Sequence, residues 1–125
     1  MKSFLPGSET FFDSASPAGR WAVVFEDDTD TGYFYALDRE SADSLIQEAL
    51  HIYNVRNVTD RHKESVATVT WSADGQKACL QINGYAHAVF DFDAKRGYCR
   101  TNFPPPGKWI THDFKWDDAI LALFR

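Results

Sequence analysis

An α+β domain is the fold class this chain predicts: an antiparallel sheet of about five to seven strands, one central helix and a short C-terminal helix. Three observations lead there. Apolar residues alternate with period two along several short runs, tight-turn signals separate those runs, and one stretch after Ser41 switches to helical spacing.

The first strand is expected at residues 10–13, ended by a loop with Pro17 and Gly19 as breakers. From Trp21 the alternation is clear: Trp21, Val23 and Phe25 share one face, Ala22, Val24 and Glu26 the other. The return strand sets Tyr33, Tyr35 and Leu37 against Phe34 and Ala36. Both faces of this hairpin are largely apolar, which predicts a central place in the sheet with something packed on each side. Ser41 reads as an N-cap, although Ser44 stands where a capping box would want glutamate. Leu45, Ile46, Ala49, Leu50 and Ile52 or Tyr53 then recur at three- and four-residue spacing, predicting a helix whose apolar stripe lies on the sheet. Residues 54–64 are polar and carry both charge signs, as a solvated loop does. Strands are expected at 66–72, 77–83, 86–92 and 98–102, with Asp74-Gly75 and Asn83-Gly84 as hairpin signals and residues 93–97 as a third turn. Pro104, Pro105 and Pro106 form a stiff connector, and the run from Trp116 reads as a short terminal helix.

The chain has 125 residues, enough for one domain to bury a core without disulfides or metals. Its net charge of -5 opposes binding to a phosphate backbone and favours a basic protein partner. The opening MKSFLPGSETFFDS lacks an apolar h-region, and no run approaches the length of a membrane span, so a cytoplasmic protein without membrane contact is expected. Cys79 and Cys99 lie in strand-like runs without CxxC spacing and read as reduced, partly buried thiols.

Four groups of residues raise chemical questions. Glu26, Asp27, Asp28 and Asp30 crowd one turn, but the calcium-loop template fails because the segment leads into a strand and not a helix. No metal is expected there; the turn is read as a contact surface for a basic partner, together with Trp109 and Trp116. His51, His62, His87 and His112 show no zinc-ligand spacing. Tyr85, His87, Asp91 and Arg100 are the residues of an alternative ligand pocket. His87 and Asp91 would share a face of a regular strand yet lie about 13 Å apart, too far for a direct acid/base pair. The basic cluster of Lys95, Arg96 and Arg100 reads as a solvated turn, and Phe103, Trp109 and Trp116 as the frame of an aromatic groove. Nucleophile elbows, P-loops and dinucleotide-binding glycine motifs are absent, which favours a non-catalytic binder that needs no cofactor.

The words FEDDTDTGYFYALD, ALHIYNV, WSADGQKACLQINGYAHAVFDF and GYCRTNFP, in that order, resemble an uncharacterised conserved family of small bacterial proteins, a domain of unknown function. The resemblance spans residues 21–104 and implies a bacterial cytoplasmic setting with no activity attached. In size, acidity and expected fold class, the chain is also similar in style to immunity proteins that neutralise secreted toxins.

Overall fold

The computed structural model describes residues 1–41, 45–58, 63–99 and, near the C-terminus, Ala119, Leu121 and Phe124. Nine strands follow in chain order: β1 (Lys2–Phe4), β2 (Thr10–Ala15), β3 (Trp21–Asp27), β4 (Thr31–Asp38), β5 (Ile46–Asn54), β6 (Ser65–Trp71), β7 (Lys77–Ile82), β8 (Tyr85–Asp91) and β9 (Arg96–Cys99). A 3-10 turn, Val55–Asn57, follows β5. Every pairing is antiparallel, in two sheets ordered β1-β6-β7-β8-β9 and β2-β3-β4-β5.

The α+β expectation is therefore wrong: the described residues form a two-layer β structure without a central helix. The segment read as that helix is strand β5, and its register explains the misreading. Two register shifts against β4, one at Ala36/Leu37 and one at Gly32/Tyr33, interrupt the strict alternation of a strand. Leu50, Ile52 and Tyr53 all join the core while Leu45 and Ile46 are more than half exposed, so an irregular strand imitates a helical stripe. The terminal helix expected from Trp116 falls almost wholly outside the described residues.

The hairpin expectations hold. β6 and β7 are joined through Asp74-Gly75, with Gly75 at φ 72°, and β7 and β8 through Asn83-Gly84, at φ 54° and 78°. Positive φ at both central positions gives the turn twist that matches paired strands, and Asn-Gly adopts it at little cost. β3 and β4 are the two middle strands of the four-stranded sheet, as their apolar faces foretold.

The core lies between the sheets. Large side chains of one layer, Trp21, Phe25 and Phe34, meet a layer in which Ala67, Ala78 and Ala88 leave room for them. Phe34 stacks on Phe90 at 5.1 Å between ring centroids and Trp21 on Phe92 at 4.8 Å. Polar latches close the far ends. At one, Ser16 Oγ donates to Gly75 O at 2.6 Å and Trp21 Nε1 to Gln76 Oε1 at 3.0 Å. At the other, Asp27, fully buried, accepts from Gly7 N (2.7 Å), Thr29 N (2.9 Å) and Tyr53 OH (2.6 Å).

The outer faces differ. On the five-stranded sheet Cys79, Ala86 and Val89 are covered by Tyr98 and by Leu121 and Phe124 from the end of the chain. On the four-stranded sheet the outer side chains of β2 to β5 have no such cover among the described residues.

Candidate functional site

The uncovered face is assembled from cross-strand rows fixed by register. Ala15, Ala22, Leu37 and Ile46 form one row, Asp13, Val24, Tyr35 and Ala49 the next, and Phe11, Glu26, Tyr33 and His51 the third. Phe11 is 62% exposed, Ile46 53% and the neighbouring Leu45 54%. Two open hollows mark the surface. One of about 230 Å³ is lined by Phe11, Val24, Glu26, Tyr35, Leu37 and Ile46. The other, about 450 Å³, extends past Asp13, Ala22, Leu37 and Arg39 to Leu45. Apolar residues predominate, and each hollow has a carboxylate in its lining, Glu26 or Asp13.

Glu26 is oriented by its neighbour. Tyr35 OH donates to Glu26 Oε1 at 2.8 Å, and burial, with the adjacent carboxylate second, raises the phenol well above its ordinary value. The tyrosine therefore stays a neutral donor that aligns Glu26 within an apolar surround. Tyr33 stacks on Tyr35 at 5.8 Å and meets the His51 ring at 5.7 Å, which stiffens the third row.

The four acidic residues of the hairpin do not form one surface. Asp27 is turned inward and wholly consumed by the latch. Asp28 Oδ1 accepts the N–H groups of Asp30 and Thr31, and these backbone bonds hold its carboxyl below the ordinary value. Asp30 is exposed at the tip, beside a hollow of about 340 Å³ that Arg56 also lines. Glu26 alone of the four belongs to the outer face. Trp109 and Trp116, with Phe103, lie outside the described residues.

Of the alternative pocket, Tyr85, His87 and Asp91 are among the described residues. A register shift between Leu80 and Gln81 sets Ala88 and Ala86 opposite them, leaving His87 as the extra residue of a β-bulge. Its ring meets Tyr85 edge-on at 5.4 Å. The regular alternation that would place His87 and Asp91 on one face is thus broken. Asp91 Oδ1 accepts Ala94 N–H at 3.1 Å and serves the following turn, while Arg100, His62 and His112 lie outside the described residues. Among the described residues no group of three or more His, Cys, Asp or Glu side chains is placed to hold a metal ion. Cys79 belongs to the cluster on the outer face of its sheet and Cys99 to the inner core, where its thiol donates to His51 O at 3.1 Å; both are buried.

The exposed aliphatics of Leu45 and Ile46 were missed because helical spacing assigned them inward. Residues 10–15 did carry the signal for the other side of the face, since Phe11, Asp13 and Ala15 alternate with Thr10, Phe12 and Ser14.

Among the described residues, fold and face define a two-layer antiparallel β protein with one outer surface packed and the other without such cover. The chain belongs to a family described as uncharacterised proteins conserved in bacteria, the domain of unknown function DUF2251, whose model matches residues 4–125. It is similar to an uncharacterised protein of Haemophilus influenzae, 45% identical over 86 residues that make up 69% of this chain and 53% of that protein. The chain thus spans about half the length of this curated relative. No solved structure matches. The immunity likeness drew partly on an α+β class, and that part of its basis is gone. Among the described residues no helix is long and apolar enough to cross a membrane.

Proposed function

We propose that this is a non-catalytic protein-binding domain, cytoplasmic in setting, that seats a basic protein partner on the outer face of its four-stranded sheet. The observation that carries the reading is the asymmetry of the two outer faces. One is packed by Tyr98, Leu121 and Phe124, and the other leaves Phe11, Leu45 and Ile46 more than half exposed around two hollows. Contiguous exposed apolar surface of this kind marks interaction sites on proteins that are otherwise well packed.

Charge supplies the partner's chemistry. Asp13 and Glu26 stand within the apolar surface, Arg39 lies in the lining of only one hollow, and the whole chain carries -5. A protein that presents apolar side chains bracketed by lysine or arginine matches such a face; a polyphosphate or an anionic bilayer does not. Opposed charge would raise the encounter rate, while burial of Phe11, Leu37 and Ile46 would supply most of the affinity. The acidic tip retains a steering role through Asp30. Reduced thiols, buried and on separate faces, agree with the cytoplasmic setting.

The test is co-purification from the bacterium that carries the protein, at low and moderate salt. A stoichiometric basic partner is expected with the unaltered chain and with Asp28→Asn/Asp30→Asn, and is lost with Asp13→Lys/Glu26→Lys. Loss with the tip variant but not the face variant, or recovery of no stoichiometric partner, overturns the reading.

A further inference from the structure

Strand β2 is the edge of the four-stranded sheet, pairing only with β3 among the described residues. Its ladder is continuous over six residues, from Thr10↔Asp27 to Ala15↔Ala22. One hydrogen bond fixes which backbone groups are left over. Ser16 N donates to Trp21 O at 2.8 Å, which makes residues 16 and 21 a hydrogen-bonded pair. Antiparallel ladders alternate bonded and non-bonded pairs, so Ser14, Phe12 and Thr10 bond to β3 while Ala15, Asp13 and Phe11 aim their N–H and C=O groups away from it. The residues whose side chains lie on the open face are therefore the ones whose backbone lines the open edge.

The other edges are less suited to a guest. β1 has three residues and β9 four, and β5 contains two register shifts and has its His51 carbonyl engaged by the Cys99 thiol. Proteins guard their edges with lysine, proline, bulges or short strands. β2, TFFDSA, has none of these, and its one guard is the charge of Asp13.

We infer that β2 is a strand-addition site, where an extended segment of the partner pairs with Phe11, Asp13 and Ala15 and lays its outward side chains on the neighbouring hollows. The inference rests on the protein-binding reading above and names its mode. Register sets the segment's chemistry. A side chain directly opposite Asp13 has its Cβ about 5 Å away, where lysine or arginine completes a cross-strand charge pair. The residues two before and two after it lie beside Phe11 and Ala15 and are apolar; the two between them meet Phe12 and Ser14 at the rim of the core. A second copy of this chain is a poor guest, because antiparallel β2–β2 pairing centred on residue 13 sets Asp13 against Asp13.

The test uses the full chain, isotope-labelled, and a synthetic peptide of about nine residues, a usual strand length, that alternates leucine with threonine and carries lysine at its centre. Amide hydrogen exchange is read by NMR. Binding should slow exchange at Phe11, Asp13 and Ala15 by about tenfold or more, because their N–H groups gain partners. The peptide with glutamate at its centre, or the Asp13→Lys chain, should show no such slowing, while Asp28→Asn should behave as the unaltered chain. Resonance shifts at Val24, Leu37 and Ile46 without slowed exchange at the edge overturn strand addition and leave the face reading standing. Slowed exchange that survives Asp13→Lys, or no response at face or edge, also overturns it.

Discussion

Asp27 occupies an acidic turn, yet its work is structural. A fully buried carboxylate accepting three hydrogen bonds ties the loop before β2, the turn after β3 and the ring of Tyr53 into one knot. Burial first, and the carboxylate second, push the Tyr53 phenol far above its ordinary value, so it remains a donor across the usual pH range. Asp27→Ala leaves two backbone N–H groups and a phenol without their acceptor and should cost about 3 kcal/mol or more in urea unfolding. Gly32 completes the knot: a Cβ there would lie 2.6 Å from the Tyr53 ring, which its bond to Asp27 holds in place. Gly32→Ala should therefore destabilise by about 1–3 kcal/mol, as overpacking does. Asp38 makes a separate pH prediction. The Arg20 guanidinium donates to both of its oxygens, at 3.1 and 3.0 Å, and holds its carboxyl below the ordinary 3.8. A folded-state value lower than the unfolded one gives stability that is present above 3.8 and lost as pH falls through the lowered value. Unfolding midpoints followed downward from about pH 5 should fall less steeply for Asp38→Asn than for the unaltered chain.

At the scale of elements, β5 separates what sequence pattern can reveal from what it cannot. The hairpins were legible because Asp-Gly and Asn-Gly turns and strict alternation are local properties. β5 was not, because its two register shifts are set by pairing with β4, and they turn a period of two into spacing that imitates a helix. The observed strand and the expected helix make opposite demands on Ile46. In the strand Leu50 is fully buried and Ile46 is 53% exposed. Leu50→Ala should cost about 2–5 kcal/mol, while Ile46→Thr should stay within about 0.5 kcal/mol. A helix lying on the sheet would make both substitutions costly. The binding surface was half legible for the same reason: Phe11 and Asp13 lie in a regular alternating run, whereas Leu45 and Ile46 were assigned to an inward stripe that the bulged strand does not have.

For the whole molecule, the sheets bury a shared aromatic core, and Leu121 and Phe124 pack against the outer face of one of them. The apolar character of both faces of the β3–β4 hairpin was read from sequence as a sign of cover on each side. The structure supplies that cover on the inner side only, among the described residues, and the apolar outer side is what a binding face requires. Membership of an uncharacterised bacterial family adds no activity to this picture, so the proposed binding role rests on the outer face of the four-stranded sheet, without cover among the described residues, and on its two carboxylates. Its most direct test is a photo-crosslinking side chain at position 11, compared in the living bacterium with the same group at position 85, exposed on the other sheet. Position 11 should yield one discrete protein adduct whose linked peptide carries lysine or arginine beside apolar residues, and Asp13→Lys should abolish it. No adduct at position 11, or the same adduct from position 85, would contradict the account.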